Sequence, residues 1–90
     1  MIYKVKYDEF ALKQLKKMDR ATKELIISYI EKNLVGTDNP RLKGKPLVRN
    51  LAGLWRYRVE NYRIIAEIND NEITIFILEV EHRSKIYKKS

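Results

Sequence analysis

Leu54-Trp55-Arg56-Tyr57-Arg58-Val59-Glu60-Asn61-Tyr62-Arg63-Ile64-Ile65 is the stretch that decides the fold. Aromatic and β-branched side chains alternate with arginines, which is the period of a strand with one face buried. Trp55, Tyr57 and Val59 fall on one face, and Arg56 and Arg58 on the other. Glu60-Asn61 interrupts the alternation and suits a two-residue hairpin turn, because Asn tolerates positive φ. With that turn, Val59 opposes Tyr62 and Arg58 opposes Arg63, so three guanidinium groups gather on one side of a sheet. Like charges directly opposite each other cost roughly 0.2–1 kcal/mol. A bound phosphate would offset that cost, and arginine grips phosphate bidentately where lysine does not. A plainer reading fits equally: charge on an exposed sheet face, which also discourages edge-to-edge aggregation. Trp55 and Tyr57 read first as core residues and second as rings for base stacking.

Outward from this stretch, a third strand-like run covers Glu72–Val80, after a turn at Asn69-Asp70-Asn71. Upstream, residues 35–53 hold all three glycines and both prolines of the chain, which marks a loop. The loop is basic, with Arg41, Lys43, Lys45 and Arg49 against the acid Asp38. Ile2–Tyr7 alternates as a short strand. Asp8 is placed to cap a helix in which Ala11, Leu15 and Met18 share a face and Lys13, Lys16 and Lys17 point to water. Asp19 restarts the pattern, and Leu25, Ile26, Tyr29, Ile30 and Leu34 form the stripe of a second helix ending near Gly36. Lys23 and Lys32 read as solvated helix positions. The expected architecture is α+β and a single domain over 1–90. It runs as an N-terminal strand, a helical hairpin and a three-stranded antiparallel meander, with the helices packed on one face of the sheet.

Ninety residues suit one small domain that buries roughly 60–65% of its unfolded surface. Cysteine is absent, which removes disulfides, thiolate nucleophiles and sulfur-based zinc sites, and suits a cytoplasmic location. The first residues alternate instead of forming a signal-peptide apolar run, and no run nears the ~18 apolar residues of a membrane span. No membrane partner is expected. A net charge of +7 and a pI near 9.7 favour an anionic partner. With one histidine and scattered carboxylates no metal constellation can be drawn, nor a glycine-rich nucleotide loop or a catalytic triad. The chemistry is expected to need no cofactor.

His82-Arg83-Ser84-Lys85-Ile86-Tyr87 follows the last strand. In a meander the end of the third strand lies near the start of the second, so Arg83 is expected to join the arginine patch. Tyr87 offers a ring for stacking or a phenol for proton transfer, or simply tacks down the chain end. His82 is either a surface residue or an acid–base group.

Taken together, Leu42-Lys43-Gly44-Lys45-Pro46-Leu47, the Leu54–Ile65 stretch and Val80-Glu81-His82-Arg83-Ser84-Lys85-Ile86-Tyr87 resemble the RelE branch of the RelE/ParE toxin superfamily, over essentially the whole chain. The resemblance implies an endoribonuclease that cuts messenger RNA in the ribosomal A site by attack of a ribose 2′-OH on the adjacent phosphate. It also implies a small RelB-like antitoxin partner, and operator DNA bound by the toxin–antitoxin complex. Arg56 and Arg58 fall where some members have paired lysines. Arg63 and Arg83 match phosphate-binding arginines, and Tyr87 matches a tyrosine that stacks on or orients the nucleotide. Lys43, Lys45 and Arg49 are expected to meet RNA or the ribosome. Arginine stays protonated in proteins, so Arg56 and Arg58 cannot serve as a base, which leaves His82 or another group for that step. Glu81 stands where a small residue, often glycine, is usual; its carboxylate either positions a neighbour or weakens phosphate binding. Two other functions compete: a ParE-like inhibitor of DNA gyrase, and a non-catalytic nucleic-acid-binding homologue.

Overall fold

The computed structural model describes residues 1–48 and 53–82. In chain order the elements are β1 (Lys4–Tyr7), α1 (Glu9–Lys16), α2 (Arg20–Asn33), β2 (Lys45–Pro46), β3 (Trp55–Val59), β4 (Tyr62–Asn69) and β5 (Thr74–His82). One sheet takes them in the order β1-β5-β4-β3-β2. The meander β3-β4-β5 is antiparallel, whereas β1 lies parallel to β5, so the sheet is mixed. The α+β architecture read from the sequence is the one the chain adopts.

Both helices begin where a carboxylate can accept from an otherwise unpaired backbone N–H. Asp8 Oδ2 accepts from the Phe10 amide at 2.9 Å. Asp19 accepts from the Thr22 amide at 3.2 Å and from the Thr22 hydroxyl at 2.7 Å. These contacts with Thr22 hold the Asp19 carboxyl below the usual carboxylate range. α1 lies over β5, and α2 reaches β3. Ala11 and Leu15 of α1, Ile26 and Ile30 of α2 and its C-cap Leu34 pack on Tyr57, Val59, Ile64, Ala66, Ile75, Ile77 and Val80. Positions 26, 30 and 34 rise along one helical line. Leu25, expected in that stripe, lies about 100° off it and is 42% exposed.

Three expectations about the connections need correcting. The stretch 35–53 is not all loop, because Lys45 and Pro46 pair antiparallel with Arg56 and Trp55. Left-handed backbone occurs at Glu60 (φ 55°) and Ile73 (φ 51°), not at the asparagines of the two turns. The last strand begins at Thr74, two residues later than the pattern suggested. Asn69 instead ends β4 and uses its side-chain oxygen to accept from the Glu72 amide at 2.9 Å.

The basic loop is pinned by side chains from the sheet. The Tyr57 hydroxyl donates to the Pro40 carbonyl at 2.6 Å, and Trp55 Nε1 donates to the Lys43 carbonyl at 2.7 Å. Arg41 is no free cation: its guanidinium donates to both oxygens of Asp70, at 3.1 and 3.0 Å. The Tyr3 hydroxyl donates to the same carboxylate at 2.6 Å. Arg41, first, and then Tyr3 hold the Asp70 carboxyl below its ordinary range. A carboxyl so lowered contributes stability above its unfolded value, about 3.9, and loses it as pH falls through the lower folded value. Asp70→Asn is therefore expected to lower Tm at neutral pH and to flatten the fall of Tm below about pH 4. Parallel Tm–pH curves for parent and variant would rule the clamp out as a source of stability.

Candidate nucleic-acid site

The hairpin forms as the alternation requires, with Val59 opposite Tyr62, Arg58 opposite Arg63 and Tyr57 opposite Ile64. Tyr57 is fully buried beneath the helices, so Arg56 and Arg58, one residue to either side, point from the other face of the sheet. Across β4 and β5, Arg63 opposes Glu81 and Ile65 opposes Glu79. Two rows therefore cross the open face. One runs Arg58–Arg63–Glu81, and the next runs Lys45–Arg56–Ile65–Glu79. Arg58 is exposed, while Arg56, Arg63 and Glu81 are half-buried. Ile65 is only 6% exposed although it stands apart from the helix-side core, and it gives the arginines an apolar floor. Such a floor lowers the local dielectric and strengthens any charge contact made there.

Arg63 Nε is buried and has no hydrogen-bond partner among the described residues. Neither ion pair found among those residues involves Arg63 or Glu81. Leaving a buried donor unpaired costs about 1–3 kcal/mol, and more when the group is charged. An anion lying across Arg58 and Arg63 would satisfy that donor and relieve the repulsion between the two side chains. The arrangement can thus hold a phosphodiester and stabilise extra negative charge upon it, but the arginines cannot accept a proton.

Lys45 joins the site through its pairing with Arg56. Lys43 stands at the rim, with an exposed side chain and its carbonyl tied to Trp55. His82 is not brought to the arginines. It opposes Tyr62 on the helix side, with the two rings edge to face at 4.8 Å and 86°. It lines a groove shared with Phe10, Gln14, Lys17 and Met18. The reason is strand alternation: one residue beyond Glu81 the side chain changes face. Arg49, Arg83 and Tyr87 lie outside the described residues. No group of His, Asp and Glu that could hold a metal occurs among the described residues. Glu81, expected to position a neighbour or to weaken phosphate binding, stands opposite Arg63. Glu79 in the next row was not expected, because its place follows only from a register that depends on the irregularity at Ile65/Ala66.

Comparison with known proteins places these features in a family. The model of the ParE toxin of type II toxin–antitoxin systems matches residues 5–87. Toxin RelG of Mycobacterium tuberculosis is 33% identical over 89 residues, 99% of this chain and 100% of that toxin. The mRNA interferase toxin RelE of Escherichia coli K12 is 25% identical over 95 residues, covering 100% of this chain and 95% of that protein. Among solved structures, a chain of a RelBE toxin–antitoxin complex from Mycobacterium tuberculosis superposes with a TM-score of 0.83 at 31% identity, covering 93% and 94% of the two chains. A mutant of E. coli RelE in the free state shares the fold, with a TM-score of 0.73 at 22% identity over 99% of this chain and 94% of that one. With the arginine-lined sheet and the small α+β frame, these matches establish that the chain belongs to the RelE/ParE superfamily of type II toxin–antitoxin toxins.

Proposed function

We propose that this toxin is an endoribonuclease that cleaves messenger RNA in the ribosomal A site, without a metal, by attack of a ribose 2′-OH on the adjacent phosphate. The observation that carries this reading is the opposed pair Arg58–Arg63, with the buried Nε of Arg63 left without a partner among the described residues. In the proposed role, Arg58 and Arg63 clasp the scissile phosphate and offset the charge that builds on the phosphorane. Arg56, Lys45 and Lys43 carry the flanking backbone, and Arg49 is a further residue expected to meet RNA or the ribosome. By the resemblance, Arg83 binds phosphate and Tyr87 stacks on or orients the nucleotide. Two relatives named as mRNA interferases support the reaction class. The solved toxin–antitoxin complexes support a small RelB-like antitoxin as the inhibitor, and the proposed complex of the two binds operator DNA.

Translation in vitro, followed by primer extension on the message, tests the reading. Codon-spaced cuts confined to translated message are expected. Intact message together with altered plasmid supercoiling would overturn it and favour gyrase inhibition, the reading that the name of the matching family model favours.

A further inference from the structure

We propose that Glu81 is the catalytic base, its carboxylate taking the proton from the attacking 2′-OH; this rests on the ribonuclease reading above. The reaction needs a proton acceptor; Tyr87 lies outside the described residues, and the described residues first suited to that role do not supply one. Arg56, Arg58 and Arg63 stay protonated, and His82 points from the opposite face of the sheet. In the two rows that cross the open face, the remaining side chains are Lys45, Ile65, Glu79 and Glu81. Of the two carboxylates, Glu81 shares the row of Arg58 and Arg63, whereas Glu79 stands one row away, opposite Ile65.

The spacing suits the transfer. Directly opposed residues of an antiparallel pair have Cβ atoms roughly 4.5–5.5 Å apart, so Arg63 and Glu81 reach a common point above the sheet. In an attacking pose the 2′-oxygen stands roughly 3–3.5 Å from phosphorus, so for a phosphate held on Arg63 it falls within the reach of a side chain directly opposite that arginine. Arg63 and Glu81 form no ion pair, so neither group is used up by the other. In the step, the 2′-O–H bond breaks and its proton passes to the carboxylate. The 2′-oxygen forms a bond to phosphorus as the bond from phosphorus to the 5′-oxygen breaks. The departing 5′-oxygen takes a proton from water, and the hydroxide so formed takes the carboxyl proton, which restores the Glu81 carboxylate and leaves a 2′,3′-cyclic phosphate and a 5′-hydroxyl.

Charged and titratable groups approach Glu81 from several elements: Arg63 on β4, Arg58 on β3, Glu79 and His82 on β5, and Lys17 and Asp19 across the groove. The test must therefore separate Glu81 from His82. Single-turnover cleavage of message on programmed ribosomes is measured against pH for the parent, Glu81→Gln, Glu81→Asp and His82→Asn. Glu81→Gln keeps the size of the side chain, and an unchanged Tm verifies that it folds. It is expected to cut about 10²–10⁴-fold more slowly with ribosome binding unchanged. Glu81→Asp is expected to recover part of the rate. The rate should fall on the acid side in the parent and in His82→Asn, and that fall should be missing in Glu81→Gln. A Glu81→Gln protein that cuts at the parental rate or faster, or that keeps the acid-side fall, overturns the proposal while leaving the ribonuclease reading intact. A parent that cuts no translated message overturns both.

Discussion

Arg63→Ala is expected to abolish growth arrest when the toxin is expressed alone, as is Arg83→Ala, while both variants still co-purify with the antitoxin. For Arg63 the expectation comes from its surroundings. The side chain is half-buried between Arg58 and Glu81, and its Nε has no partner among the described residues. A residue kept there for folding would have its donors satisfied and no like charge opposite it. Removing it should therefore leave Tm unchanged or slightly higher. The proposed cleavage should meanwhile lose a charge-stabilising contact of the kind worth roughly 10²–10³ in rate. Activity falling without stability is the signature of a group maintained for a ligand. For Arg83 the expectation rests on the family resemblance. If either variant remained fully toxic, its residue would have no part in gripping the phosphate. A large drop in Tm for Arg63→Ala would instead return that side chain to an ordinary structural role.

The face of each arginine could be read before any coordinates because two local rules agree there. Strand alternation separates Arg56 and Arg58 from Tyr57, and the short turn at Glu60-Asn61 fixes Arg58 opposite Arg63. The caps at Asp8 and Asp19 were legible for the same reason: each needs only a carboxylate and the amide two or three residues on. What escaped depends on partners distant in sequence. The clamp of Arg41 on Asp70 joins residues 29 apart, so Arg41 looked like one more loop cation. The pairing of β2 with β3 spans only two residues, too few to show any alternation. His82, open in the sequence between a surface residue and an acid–base group, turns to the helix side. Its true face follows from the β4–β5 register, which shifts at Ile65/Ala66. The same shift brings Glu81 opposite Arg63, and with it a carboxylate into the arginine row.

Gly44→Ala is expected to have the largest effect on stability, about 2–5 kcal/mol, and to disturb the site with the fold. Gly44 has a φ of +80°, where an added Cβ is strained by itself. That Cβ would also overlap the carbonyl oxygen of Arg56 and would lie 2.7 Å from Trp55 Nε1 and 3.0 Å from Tyr57 Cδ1. None of these neighbours can retreat cheaply. The Arg56 backbone is held in β3 by pairing with β4, Tyr57 is fully buried, and Trp55 Nε1 is tied to the Lys43 carbonyl. Relief must come from lifting β2 off β3, which breaks the Lys45–Arg56 pairing and strains the bond from the Leu47 amide to the Leu54 carbonyl. Lys45 would then leave the row it shares with Arg56. For a domain of this size each kcal/mol shifts Tm by about 4–8 °C, so the fall should be evident in a simple melt. Gly53→Ala is the control, because Gly53 also has positive φ, +99°, but none of the described residues lies within 4 Å of an added Cβ. It should show the backbone strain alone, about 1–2 kcal/mol. Equal losses at the two glycines would mean that the close approach of β2 to β3 contributes nothing. A much larger loss at Gly44, with weakened RNA cleavage among the molecules still folded, would tie this glycine to the placement of the basic rim.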